Sequence, residues 1–123
     1  MKEVTEKTNL TADTIRYYEK IGIIPPILRK ENGLRDFQAY DLEWLFFIKQ
    51  LRAAGLSIET LQSYKNLVLE GDETIAERIE LLSKTSDFIA EKQAELAKAQ
   101  EMLKVKINFY QEKVYPVEAK LKK

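Results

Sequence analysis

Arg16, Tyr17 and Lys20, with Asp13 before them, fall at the spacing that lines residues along one stripe of a helix. A guanidinium, a phenol and an ammonium on an open helix face can bond phosphate oxygens and the edges of base pairs. Taken alone, such a stripe fits a solvated helix face with a tyrosine lying along it rather better. A second group of cations follows, Arg29, Lys30 and Arg35, around the turn Lys30-Glu31-Asn32-Gly33. From Thr14 to Asp36 five basic residues stand against three acids, an excess of +2. Over the whole chain 20 basic and 20 acidic residues cancel, which argues mildly against nucleic acid. A dimer would double the local patch.

Other chemistry is poorly provided for. The 123 residues include no histidine and no cysteine, so disulfides, thiolates and the commonest zinc ligands are missing. The commonest neutral-pH general base is missing too. No phosphate-binding glycine loop, dinucleotide fingerprint or EF-hand loop occurs. An enzyme is therefore a poor expectation, and neither a cofactor nor a metal is expected. The longest apolar run, Trp44-Leu45-Phe46-Phe47-Ile48, is far short of the roughly 20 residues of a membrane span. With no secretory pattern at the N-terminus, cytoplasmic residence and no membrane partner are expected.

The elements that must carry the two cationic groups can be read in order. Residues 2–8 predict a short helix, and Asn9 tolerates a left-handed turn. Thr11 is a candidate N-cap for a second helix reaching about Ile21, where Gly22 stops it. Helix, tight turn and helix within about two dozen residues is the spacing of a helix-turn-helix. Ala12, Ile15 and Tyr18 turn inward on the second helix, opposite the Arg16, Tyr17 and Lys20 stripe. Pro25-Pro26 bars helix, and residues 27–29 and 34–36 predict two short strands joined by an Asn-Gly hairpin. That hairpin makes a basic wing, and its place directly after the helix pair raises it above an ordinary surface hairpin.

Residues 37–54 predict a third helix with Tyr40, Trp44, Leu45, Phe47, Ile48 and Leu51 available to a core. Gly55 ends it, and Ser57 caps a fourth helix through Leu69, with Leu61, Tyr64 and Leu67 or Val68 buried. From Thr74 onward alternating steps of four and three pick out Ile75, Ile79, Leu82, Ser86, Ile89, Gln93, Leu96, Gln100, Leu103, Ile107, Tyr110 and Val114. Nine of these twelve are apolar, a coiled-coil pattern that Pro116 halts. Its roughly 60 Å of helix is too long to bury its stripe on a small head, so an identical chain is the simplest partner. Ser86, Gln93 and Gln100 share one heptad position. An antiparallel pair centred between Ala94 and Glu95 faces each with an apolar residue: Ser86 with the partner's Leu103, Gln93 with the partner's Leu96, Gln100 with the partner's Ile89. The expected division is a winged helix-turn-helix head over 1–71 and a coiled-coil dimerisation helix with a short tail over 72–123, mainly α throughout.

Together these residues resemble the MerR family of bacterial regulators. The resemblance rests on Thr14-Ile15-Arg16-Tyr17-Tyr18-Glu19, Gly22-Ile23-Ile24-Pro25-Pro26, Asn32-Gly33-Leu34-Arg35 and Asp41-Leu42. Leu51-Arg52-Ala53-Ala54-Gly55-Leu56-Ser57 and Gly71-Asp72 extend it, so that it covers roughly residues 2–114. It implies a homodimeric, sequence-specific DNA-binding transcriptional regulator. Two heads would occupy adjacent major grooves of an inverted-repeat promoter operator, distort the DNA between them, and act together with RNA polymerase. DNA contact is thereby implied for Thr11, Thr14, Arg16, Tyr17, Tyr18 and Lys20, and for Arg29, Lys30 and Arg35 of the wing. A plain capping role for Thr11 fits equally well. Ile75, Ile79, Leu82, Ile89, Leu96, Leu103, Ile107 and Tyr110 are the implied dimerisation residues.

The closest resemblance is to the small aldehyde- and electrophile-responsive members, which carry a reactive cysteine where Gln50 stands here. Thiol sensing is therefore not available, and the cysteine-held metal of other members is not either. Leu34 replaces the usual wing tyrosine, and Gln38 a stronger N-cap. An effector, if one exists, could meet aromatics such as Tyr64, Phe109, Tyr110 or Tyr115, although packing explains them better. The rival function is a coiled-coil protein-interaction module without DNA binding, and an effector-free architectural DNA binder comes third.

Overall fold

The structure, a computed structural model, describes residues 1–114, which divide into two compact units, Met1–Ser83 and a second that begins at Lys84. Tyr115 and Pro116 lie outside the described residues, as does the side chain of Val114. The first unit contains α1 (Lys2–Thr8), α2 (Ala12–Lys20), α3 (Ala39–Ala53) and α4 (Ile58–Glu70), then a 3-10 turn at Asp72–Thr74. The last helix, α5, spans Ile75–Phe109, and a single π-type turn follows at Tyr110–Val114.

Each short helix is set by a local signal that the residue types make possible. Asn9 takes a left-handed φ of 55° and turns the chain from α1 into α2. Thr11 caps α2, its hydroxyl accepting the Thr14 amide at 3.1 Å. At the other end Gly22 N donates to Glu19 O, and Ile23 N donates to Tyr18 O, both at 3.2 Å. This paired closure needs a left-handed residue, and Gly22 supplies it at φ 76°. The same pair of bonds closes α3 at Gly55 and Leu56.

The core of the head is built from Val4, Ile15, Tyr18, Ile23, Ile24, Ile27, Leu45, Ile48, Leu56 and Leu61. It draws on all four helices and on the apolar link after α2. Two side chains tie helix ends across it: Lys49 Nζ donates to Thr8 O at 3.0 Å, and Gln62 donates to Ile21 O. These bonds satisfy carbonyls that the ends of α1 and α2 leave open. Arg78 bonds Gly71 O and Thr74, and the Thr74 hydroxyl bonds Leu67 O, so the compact unit reaches into the first turns of α5.

Three expectations are corrected. The two wing strands reduce to one antiparallel bridge, Arg29 with Arg35, and no strand occurs among the described residues. Pro25-Pro26 before the turn and α3 soon after it leave too little chain for a longer ladder. The third helix begins at Ala39 rather than Phe37, because Asp41 Oδ2 accepts the Gln38 amide at 2.7 Å and makes Gln38 the N-cap. Tyr40 and Phe47, expected in the core, are exposed, while Trp44 and Leu51 are half-buried. Phe47 instead packs on Tyr64 with the rings tilted by 54° and their centroids 5.6 Å apart.

In α5 the heptad positions stay open: Leu96 is 69% exposed and Leu103 64%, whereas Leu82 and Ile89 are half-buried. The α-helical pitch ends at Phe109, so Tyr110 lies in the π-type turn instead of on the regular heptad. Among the described residues no helix is long and apolar enough to cross a membrane.

Leu45 has no exposed surface and sits at the centre of this core. Truncation by Leu45→Ala should therefore cost about 2–5 kcal/mol, read as a lowered urea midpoint at fixed protein concentration.

Candidate nucleic-acid interface

The second helix divides sharply. Ile15 is fully buried and Tyr18 is 9% exposed, while Asp13, Arg16, Tyr17 and Lys20 line the open side, with Tyr17 at 50%. The Tyr18 ring belongs to the core, and of the two tyrosines only Tyr17 lies on the open stripe. Inward spacing from Ile15 already carried that signal.

At the start of α2 the Thr11 and Thr14 hydroxyls lie 2.7 Å apart. Both serve the cap, so a capping role for them is visible in the geometry. Arg16 Nη1 lies 2.8 Å from Asp13 Oδ1, with both side chains well exposed. An exposed pair of this kind contributes well under about 1 kcal/mol, so a phosphate can displace it readily.

The wing follows from Gly33, whose φ of 85° lets the chain reverse after Glu31-Asn32. Gly33 N donates to Lys30 O at 2.9 Å, Lys30 N to Leu34 O at 2.8 Å, and Asp36 N to Leu28 O at 2.7 Å. The Asn32 side chain accepts the Leu34 amide at 3.1 Å, which fixes the tip. Lys30 is exposed on this turn, and Leu28 and Leu34 are exposed beside it.

Sequence reasoning missed the residue that joins wing to helix. Glu19 Oε2 accepts the Ile27 amide at 2.8 Å, and Glu19 Oε1 accepts Arg35 Nε at 3.0 Å. Arg29 also lies 3.7 Å from Oε1. In sequence Glu19 was one of three acids among five bases and the end of a motif, with no partner assigned to it. Partners eight to sixteen residues away leave no periodic trace, although a lone acid closing a helix before a basic hairpin is a usable hint. Arg35 is thus brought to the wing but its charge faces Glu19 in a shielded place, whereas Arg16, Lys20 and Lys30 are exposed.

Nearby, the buried Asp41 carboxyl is pushed above the usual aspartate range. Burial is the main cause, opposed by the Gln38 amide bond and reinforced by the Glu19 and Asp36 charges. Gln50 is exposed on α3.

A capped helix with one buried and one cationic face, preceded by a tight turn and followed by a basic wing, defines a helix-turn-helix regulator of transcription. Residues 1–66 match the family model described as MerR HTH family regulatory protein, and the chain belongs to that family. It is 48% identical over 81 residues to the HTH-type transcriptional regulator AdhR of Bacillus subtilis, a match spanning 66% of this chain and 58% of AdhR. An uncharacterized HTH-type transcriptional regulator of Haemophilus influenzae is 33% identical, over 89% of this chain and 81% of that protein. Among solved structures, a MerR family transcriptional regulator from Listeria monocytogenes is similar with a TM-score of 0.89 and 45% identity, covering 98% of this chain and 92% of that one. HiNmlR, a MerR family regulator lacking the sensor domain and bound to promoter DNA, is similar with a TM-score of 0.81 and 33% identity, covering 88% and 86%.

Asp41 carries a testable sign. The folded chain holds its proton to higher pH than the unfolded chain does, so its contribution to stability is full in acid and is lost as pH rises through the raised value. The permanently neutral Asp41→Asn should gain stability relative to the parent as pH rises from about 4 to 7. Denaturant unfolding at a series of pH values reads this, and parallel pH profiles would contradict it.

Proposed function

We propose that two copies of this chain pair through an antiparallel coiled coil of α5 and bind an inverted-repeat promoter operator. Each head sets α2 in a major groove, with Arg16, Tyr17 and Lys20 toward base edges and nearby phosphates. Lys30 and the open edge of Arg29 take flanking phosphates from the wing, and Arg35 supports them from its place against Glu19. Thr11 and Thr14 hold the start of α2 against the backbone.

The observation that carries this function is the open stripe Arg16, Tyr17 and Lys20 on a helix whose opposite face is the centre of the core. A cationic stripe held that rigidly suits a duplex groove better than a protein partner, and the basic wing beside it extends the same surface. The likeness to HiNmlR, whose structure is described as bound to promoter DNA, supports the same role here. The exposed apolar positions Ile79, Leu96, Leu103 and Ile107 support pairing through α5. Ser86, Gln93 and Gln100 would set the antiparallel register. The dimer would activate or repress by bending and untwisting the DNA between half-sites, at a cost on the order of 1–6 kcal/mol offset by its contacts. RNA polymerase at the same promoter is the partner that reads this distortion. No catalytic step belongs to this function, and it places the chain in the cytoplasm.

Selection of retained sequences from a pool of random duplexes tests the role directly. An enriched inverted repeat, bound less tightly as salt rises, is the expected result. On that duplex Arg16→Ala should lose about 1–3 kcal/mol of binding. No enrichment, with Arg16→Ala behaving like the parent, would leave the coil as the functional surface. Pairing has its own readout: Leu96→Lys places charge in the seam and should convert the dimer to monomer in sedimentation velocity.

A further inference from the structure

Glu19 closes α2 and reaches across to the wing, where it meets an amide and two guanidinium groups. Its carboxylate holds the Ile27 amide at 2.8 Å and Arg35 Nε at 3.0 Å, with Arg29 Nη2 at 3.7 Å from the same oxygen as Arg35. The side chains of Glu19 and Arg35 are only 16% and 19% exposed, so water and salt screen this pair far less than the open Arg16–Asp13 pair. Arg29 is further tied at its Nη1, which donates to Gly33 O at 3.1 Å. Lys30, on the same turn, has no carboxylate within ion-pair distance among the described residues.

Two arginines of the wing therefore share one carboxylate, and that carboxylate is rooted in the helix that carries the groove-facing stripe. We propose that Glu19 is a positioning residue that determines specificity: it pins the wing to α2 and withholds part of the wing's positive charge from non-operator DNA. This deepens the DNA-binding role proposed above and rests on it. A cation already neutralised by a carboxylate releases fewer counterions when it meets a phosphate, so it adds little to sequence-independent attraction. The geometric bond remains. Wing and helix reach the duplex as one body, which favours an operator whose groove and backbone match both at once.

The test uses the full chain, a labelled duplex carrying the selected repeat, and a scrambled duplex of equal length, each titrated over a range of potassium chloride. Glu19→Gln keeps an oxygen for the Ile27 amide but removes the charge. It should bind the scrambled duplex more tightly, with a salt slope steeper by about 0.9 per head. The ratio of operator to scrambled affinity should fall by about tenfold. Glu19→Asp, which keeps the charge on a shorter stem, should leave the scrambled-duplex slope at the parent value. A second pair of variants leaves Glu19 in place: Lys30→Gln should flatten the slope by about 0.9 per head, and Arg35→Gln by clearly less.

A parental slope and ratio in Glu19→Gln would overturn the proposal, as would both affinities falling together at unchanged slope, the mark of a merely structural residue. Equal flattening by Lys30→Gln and Arg35→Gln would overturn it as well, and that comparison decides alone if Glu19→Gln does not fold. A parent chain that binds no duplex in a salt-dependent way would remove the DNA role itself, a result distinct from all of these.

Discussion

The head depends on one packing constraint: a helix of nine residues must be held by its neighbours. Such a helix is far too short to persist alone in water. It exists because Ile15 and Tyr18 are buried in one cluster with Ile23, Leu45, Ile48 and Leu61. Once those two residues face the core, helical geometry leaves Arg16, Tyr17 and Lys20 nowhere to go but outward. The rotation of the cationic stripe is thus fixed by apolar burial, and no charge needs to steer it. The ends of the small helices are closed by side chains from the larger ones, Lys49 of α3 and Gln62 of α4, so the turn and the stripe move together.

Charge then does two different jobs on this surface. Arg16 is held by an exposed aspartate one turn away, an arrangement that a phosphate can replace at little cost. Arg35 is held by a shielded glutamate, which makes it a strut between helix and wing. Affinity and geometry are in this way assigned to different cations of the same sign. The zero net charge of the chain is compatible with that division, because what matters near a duplex is which cations are already neutralised.

The helices were legible wherever a local signal was present. Thr11, Gly22, Gly55 and Ser57 marked boundaries through capping chemistry that acts within three or four residues. The inward positions of α2 followed from periodicity alone, as did the length of helix that became α5. What could not be read had its cause elsewhere in the chain. The wing looked like two strands because its residues have strand propensity, but a ladder needs length on both sides, and Pro25-Pro26 and α3 remove it. Tyr40 and Phe47 looked like core residues because they are aromatic in an apolar helix, yet only Leu45 and Ile48 face the centre. The spacing of Tyr18 from Ile15 placed its ring inside, and the structure buries it there. Glu19 was invisible as a strut because its partners lie across a turn, beyond any helical or strand period.

The central claim is that two such heads are held at one fixed separation on DNA. Hydroxyl-radical footprinting of the selected operator measures this most directly. Two symmetric protected patches, with centres about one helical turn (10–10.5 base pairs) apart or at a multiple of it, are predicted. A single asymmetric patch, or protection that shifts freely along the duplex, would contradict it.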